Sequence, residues 1–265
     1  MGVVNITPDS FSDGGRFLGE AAAVSHARKL IADGADILDI GGESTRPGAE
    51  PVSEAEELAR VIPVIEAVRR ESAIPVSIDT MKPGVARAAI AAGAGIWNDV
   101  MALGAPGALE AAAELGCEVI LMHMLGDPRS MQDDPRYDDV VEDVAARLLQ
   151  RVEAAVAAGV RREAIWLDPG VGFGKRMEHN LALIARLDRL VGTGHRVLLG
   201  ASRKSFVRRI DPTATAADDR LGGSLAVVLA GARAGCAAVR VHDVRETAQA
   251  LKVQAAIDAS RARWV

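Results

Sequence analysis

The feature that most constrains this chain is an alternation that persists from its first residues to its last. Eight short apolar runs are Val3–Ile6, Ile37–Ile40, Val76–Ile78, Gly95–Trp97, Val119–Met122, Ile165–Leu167, Val197–Leu199 and Ala238–Val241. Between and after them lie segments of helical pattern at about 20–33, 53–71, 83–92, 107–115, 138–158, 178–190, 217–234 and 243–260. In the second of these, Leu58, Val61, Ile62 and Ile65 fall on one face at the spacing of an amphipathic helix, and Ser53 followed by Glu56 gives it a capping-box start. A helix between consecutive strands returns the chain to its starting side, so the strands pair in parallel. Eight such units in 265 residues fit a closed barrel better than an open doubly wound sheet. The expected fold class is therefore α/β, a single-domain (β/α)8 TIM barrel over residues 1–265, since no linker or composition break divides the chain. The first strand starts almost at Met1, so the bottom of the barrel has no obvious N-terminal plug.

Composition removes several classes of function. A formal net charge of −5 argues against general nucleic-acid binding. No purely apolar stretch reaches the length of a membrane span, and no charged-then-apolar leader opens the chain, which points to a cytoplasmic protein without membrane contact. Cys117 and Cys236 sit in apolar surroundings without a CxxC partner, and are expected as buried, reduced thiols. Aromatic residues are only 3% of the chain, so the core must be built from Ala, Val, Leu and Ile.

A barrel of this kind works at the C-terminal ends of its strands. The residues leaving the eight runs are Asn5, Asp39 with "GGESTRPGA", Asp79, Asn98–Asp99, Met122–His123, Asp168 with "PGVGFGK", the "GASRKS" loop and "RVHD" at Arg240–Asp243. A lone Asp after a strand is as often a turn former or helix cap, and Asp99 is best read so. Several acids and amides converging on one mouth are different, because buried carboxylates need donors. A heterocycle rich in N–H groups would supply them.

The remaining motifs refine that picture. "GVGFGK" at Gly170–Lys175 fails the phosphate-loop spacing, with Pro169 in place of the first glycine and Arg176 after the lysine. It suits close approach of backbone to a flat ligand, with Phe173 available to stack. His123 reads as a packed, hydrogen-bonded histidine. Arg240 and His242 alternate onto one strand face and make an anion cradle. Asn5 can give an amide oxygen to a divalent cation carrying that anion. Zinc is disfavoured, as neither HExxH nor a Cys/His cluster occurs. Lys204 is either a solvated loop charge or a donor that pairs with Asp168 across the mouth. His26, His179 and His195 carry no assigned role.

Taken in order, "MGVVNITPDSFSDGG", "DIGGESTRPGA", "SIDTMKPGVA", "IWNDV", "LMHMLGDPRSMQ", "LDPGVGFGK", "GASRKSF" and "RVHDV" resemble the dihydropteroate synthase family across essentially the whole chain. The resemblance implies condensation of 6-hydroxymethyl-7,8-dihydropterin pyrophosphate with p-aminobenzoate, giving 7,8-dihydropteroate and pyrophosphate in folate biosynthesis. Carried over residue by residue, it implies a pterin pocket of Asp79, Asn98, Met122, Asp168, Phe173, Gly200 and Lys204. It implies a pyrophosphate site of Asn5, Arg240 and His242, with Mg²⁺ bridging through Asn5. It implies a p-aminobenzoate site bordered by Thr45, Arg46 and Ser202, the subsite that sulfonamides occupy in this family. Asp39 is a further candidate ligand, and Asp79, Lys204, Arg240 and His242 are the catalytic candidates.

The chemistry asks for no strong base, since an aniline attacks as the neutral amine. Losing pyrophosphate from a methylene carbon is the hard step, which cations and a metal would ease. An SN1-like path follows, with Asp79 facing positive charge and the "TPDSFSDGG" loop closing as a lid. The resemblance also implies a homodimer through the late helices, to which the apolar Gly222–Val239 segment would contribute. Two rival readings are a pterin-binding methyltransferase module and a catalytically silent pterin-binding paralogue. "SRKS" and "STRPG" disfavour the first, and the full pyrophosphate set disfavours the second.

Overall fold

The computed structural model describes residues 1–6, 15–45, 49–126 and 131–261. Eight strands are present: β1 Gly2–Asn5, β2 Leu38–Gly41, β3 Val76–Asp79, β4 Ile96–Asp99, β5 Glu118–Met122, β6 Ile165–Asp168, β7 Arg196–Leu199 and β8 Ala238–Val239. The helices are α1 Gly15–Ala32, α2 Glu54–Glu71, α3 Pro83–Ala91, α4 Ala108–Leu115, α5 Val140–Ala157, α6 Met177–Ala185, α7 Asp188–Val191, α8 Phe206–Ile210, α9 Leu221–Ala234 and α10 Val244–Arg261. The strands pair in parallel in sequence order. A parallel bridge between Gly2 and Val241, with Val3 N–H donating to Val241 O and Val241 N–H to Met1 O, joins the last strand to the first. The result is the closed (β/α)8 barrel that the alternation predicts.

Strand alternation sorts side chains into two cores. Val4, Leu38, Ile40, Val76, Ile78, Trp97, Leu121 and Leu167 face outward into one continuous cluster with the helices. Most of these are fully buried, and each such side chain contributes about 1.5–3 kcal/mol. A smaller cluster of Met1, Ile96, Ile120, Trp166 and Leu198 fills the barrel interior. Beneath it, Trp166 Nε1 donates to Glu118 Oε2 at 2.9 Å, and Arg196 pairs with Glu118 while its guanidinium covers the Trp166 ring at 4.2 Å. These side chains fill the barrel at the N-terminal ends of β5, β6 and β7.

Register then places the polar residues in levels. Asp39 lies opposite Ser77; one inward step higher, Gly41 stands between Asn5 and Asp79, Asp79 lies opposite Asn98, and Met122 opposite Asp168.

Three helical expectations change. The pattern at 178–190 is broken into α6 and α7 at Arg186, whose φ of −119° and ψ of 34° leave the helix. The pattern at 217–234 begins with a 3-10 turn at Asp218–Arg220, and the short α8 had no separate expectation. Ser53 caps α2 by accepting Glu56 N–H at 3.2 Å, while the Glu56 carboxylate pairs with Arg60. Both cysteines are free thiols, but Cys236 is only half-buried because it lies just beyond the end of α9.

Candidate active site

Arg240 follows β8 and organises the mouth. Its Nε donates to Asp39 Oδ2 at 2.5 Å and its Nη2 to Asp79 Oδ2 at 2.7 Å. Asn98 Nδ2 reaches the same Asp39 oxygen at 3.3 Å. Asp39 is wholly buried, and its Oδ1, like Ser77 Oγ, has no hydrogen-bond partner. Burial pushes the Asp79 carboxyl up to about 7; Arg240 opposes the rise and Asp39 reinforces it. Burial works against the Arg240 charge, but Asp39 and Asp79 outweigh it and hold the guanidinium more firmly protonated than usual.

A second group faces this one. Asp168, at the end of β6, accepts Gly170 N–H on Oδ1 at 2.7 Å. Burial raises its carboxyl to about 6, against the pull of that N–H and of Lys204. Lys204 Nζ rests 4.1 Å from the Phe173 ring centroid, a cation–π contact that is neither the solvated loop charge nor the direct pairing with Asp168 that the sequence left open. Burial lowers its ammonium to about 8, while Asp168 holds it up. Gly200 separates the two groups. A Cβ there would lie 3.5 Å from Asp168 Oδ2 and 3.8 Å from Arg240 Cβ, so the absence of a side chain leaves the space between acid and guanidinium open.

The other sequence candidates fall around this frame. Asn5 ends β1, half-exposed, beside Gly41, where a Cβ would meet Asp79 Cβ at 3.4 Å. Met122 is buried at the end of β5 in register with Asp168. His242 Nδ1 lies 3.1 Å from Ser202 Oγ, which also accepts the His242 N–H at 3.2 Å. Thr45 is half-buried in the loop after β2. Arg46, the "TPDSFSDG" loop and residues 127–130 lie outside the described residues. Asp99 has the local turn role expected of it, accepting Met101 and Leu103 N–H groups at 2.8 Å each.

Three supporting residues were not singled out by the sequence reading. Arg203 adopts a left-handed φ of 59°, and its guanidinium grips Asp243 at 2.6 and 3.0 Å and also Asp218. It thereby fixes the loop that carries Ser202 and Lys204. Lys82 donates to Glu43 at 2.7 Å and to the fully buried Glu57 at 2.6 Å, tying the start of the β2 loop to α2. Lys175 is buried under the β6 loop against His123. Each is a charged residue in a polar loop, and only a fold-level pairing such as Arg203 with Asp243 separates it from a solvated charge.

No group of three or more His, Cys, Asp or Glu side chains gathers as a metal-ligand set among the described residues. A cation here would have to be bound chiefly by an anionic ligand, with Asn5 supplying an amide oxygen. That donor set fits magnesium, which dehydrates reluctantly and commonly binds through phosphates and a few protein oxygens.

Comparison with known proteins gives a consistent match. The sequence profile of the family described as "Pterin binding enzyme" matches residues 1–242. The dihydropteroate synthase of Escherichia coli K12 is 47% identical over 253 residues, covering 96% of this chain and 89% of the relative. A solved Xanthomonas albilineans dihydropteroate synthase with 4-aminobenzoic acid superposes with a TM-score of 0.92 at 50% identity, covering 98% of this chain and 92% of that one. The same organism's enzyme in complex with 7,8-dihydropteroate superposes with a TM-score of 0.89 at 47% identity, covering 98% and 93%.

Proposed function

The chain belongs to the dihydropteroate synthase family, and we propose that its single barrel domain performs the condensation through an SN1-like path. In this reading the methylene carbon–oxygen bond of dihydropterin pyrophosphate breaks first, and its electron pair leaves with pyrophosphate. The p-aminobenzoate nitrogen then adds to the cationic carbon and releases a proton to solvent. The observation that supports this most is the division of the mouth by Gly200, with an acid and a cation-capped aromatic ring on one side and Arg240 on the other.

Asp168 accepts the pterin amino and ring N–H groups, Lys204 donates to ring acceptors, and Phe173 stacks. Asn98 and Met122 complete the pocket wall. Arg240 has five N–H donors, of which two are committed to Asp39 and Asp79. Its remaining donors, with His242 and Asn5, hold pyrophosphate. Asp79, kept in place by Arg240, faces the positive charge on the methylene. Thr45, Arg46 and Ser202 border p-aminobenzoate. Magnesium, held with Asn5, would neutralise charge on the departing pyrophosphate.

Purified protein supplied with Mg²⁺ and both substrates should yield dihydropteroate. A folded protein that yields none would favour the methyltransferase-module or silent-paralogue readings. Across a series of substituted anilines, an SN1-like path predicts a kcat that hardly changes with amine nucleophilicity. A kcat rising in proportion to nucleophilicity would argue for direct displacement.

We also assign a homodimer. A groove of about 430 Å³ between α6, α8 and α9 is lined by Leu181, Phe206, Val207, Ile210 and Val227, with Ile210 57% exposed. A second copy covering this groove would remove that apolar surface from water. Ile210→Asp should shift the sedimentation coefficient from dimer to monomer. We assign a cytoplasmic location. No helix among the described residues is long and apolar enough to cross a membrane.

A further inference from the structure

We infer that Lys175 is a positioning residue for the pterin subsite, holding Phe173 beneath the substrate ring through the backbone of the β6 loop. The inference rests on the assignment of Phe173 to the pterin pocket made above. Lys175 is 3% exposed, yet it carries an ammonium group into the fold. Its Nζ lies 3.0 Å from His123 Nδ1, 3.2 Å from His123 O and 2.9 Å from Phe173 O. An ammonium has three donors and no acceptor, so these three partners use all of its donors. While Lys175 is protonated, His123 Nδ1 accepts, which puts the proton of the neutral ring on Nε2. Burial and the neighbouring Lys175 charge push His123 down to about 3, consistent with a ring that stays neutral. Burial also lowers Lys175 itself to about 7, and Asp168 works against that fall.

The ammonium thus joins the exit of β5 to the carbonyl of Phe173 itself. Other ties hold the same loop: Tyr137 Oη donates to Gly174 O at 2.7 Å, Gln132 Nε2 to Gly172 O at 2.7 Å, and Gly172 N–H to Asn180 Oδ1 at 2.7 Å. Phe173 N–H donates to Gly170 O at 3.0 Å within the same loop, while Lys175 is the side chain that ties the Phe173 carbonyl to the β5 exit. The contact is possible because the loop lies directly on the β5 exit: a Cβ at Gly174 would come within 2.8 Å of Leu125 O and 2.9 Å of Leu125 N. Lys204 in turn rests on the Phe173 ring, so a displaced ring moves the pocket's cation as well.

The test compares Lys175→Met, His123→Leu and Phe173→Ala with the unaltered protein, measuring both KM values, kcat and the folded fraction. Misplacing a binding group by about an ångström costs up to 10²-fold. Lys175→Met should accordingly raise the KM for dihydropterin pyrophosphate roughly tenfold, with the KM for p-aminobenzoate held within about twofold. His123→Leu removes one acceptor and should move the pterin KM in the same direction by less; it carries the test if Lys175→Met fails to fold. Nitrogen-15 NMR of His123 should show the neutral Nε2–H tautomer between pH 5 and 6, where the Lys175 amine is protonated, and loss of the Nδ1 hydrogen bond in Lys175→Met. An unchanged pterin KM in Lys175→Met, or both KM values moving together, overturns the inference. If Lys175→Met fails to fold, an unchanged pterin KM in His123→Leu does so. An unchanged pterin KM in Phe173→Ala overturns the pocket assignment instead.

Discussion

Asp79 Oδ2 accepts a 2.7 Å hydrogen bond from Nη2 of Arg240, whose Nε reaches Asp39 at 2.5 Å, so one guanidinium just beyond the last strand compensates two carboxylates from adjacent early strands. Removing the one cation from a buried, hydrogen-bonded charge set costs about 3–5 kcal/mol, because both carboxylates are left uncompensated. Arg240→Met should lower the unfolding free energy by about that amount at pH 8, measured by urea denaturation. The penalty should shrink at pH 5, where Asp79, raised to about 7, is protonated. Adding Asp39→Asn to Arg240→Met should recover part of the loss, a coupling that independent sites would not show.

Asp79 separates stability from turnover. Burial raises its carboxyl from an ordinary 3.8 to about 7, so the folded state binds more protons between those values. Stability contributed by this group is therefore greatest at low pH and falls as pH rises from about 4 to 7. Asp79→Asn should remove that slope without lowering the melting temperature at pH 8. If the carboxylate stabilises positive charge in the transition state, kcat should fall about 10²–10³-fold. Undiminished turnover in the folded variant removes Asp79 from the chemistry.

The barrel was legible because periodicity and burial agree. A run such as Val76–Ile78 ends at an acid, and the strand ends there too, at Asp79. The break between α6 and α7 was hidden for the converse reason: Leu183, Leu187 and Leu190 are all buried and keep helical spacing across it, with no Gly or Pro to mark it. At the mouth, residue types announced Asp39, Asp79, Asp168 and Arg240 as a group. Their partners were not readable. Arg240 looked like part of an anion cradle, but it also neutralises Asp39 and Asp79, through contacts 201 and 161 residues away in sequence. Lys175 and Arg203 look like solvated loop charges until the fold brings His123 and Asp243 to them.

Two glycines of the mouth should respond in opposite ways to the same methyl group. Gly170 has a φ of +65°, and a Cβ there would lie 1.9 Å from His123 O, a backbone atom with little freedom to retreat. The left-handed conformation alone costs a non-glycine residue about 1–2 kcal/mol, and the clash adds to it. Gly170→Ala should therefore lower the melting temperature clearly. Gly200 meets only ordinary contacts, Asp168 Oδ2 at 3.5 Å and Arg240 Cβ at 3.8 Å. Gly200→Ala should melt within a few degrees of the parent protein while the KM for dihydropterin pyrophosphate rises, since the methyl group enters the space between the two charged groups. A lowered melting temperature with unchanged KM in Gly200→Ala would place the substrate elsewhere.

The pH dependence of kcat/KM for the pterin substrate should be bell-shaped, and its limbs can be assigned in advance. Asp168 must be ionised to accept ring N–H groups, and burial has raised it to about 6, so activity should fall as pH drops below that value. Lys204 must be charged to donate, and burial has lowered it to about 8, so activity should fall as pH climbs past it. Because kcat/KM reports groups of the free enzyme, these environments are the relevant ones. Asp79, raised to about 7, contributes to the acid limb, which therefore belongs to the two carboxyls jointly. Lys204→Arg keeps a cation of much higher intrinsic pKa at the same position. It should move the alkaline limb beyond about pH 9 while lowering the plateau, and leave the acid limb in place. An alkaline limb that stays near 8 in Lys204→Arg would assign that ionisation to the substrate's pyrophosphate or to another group.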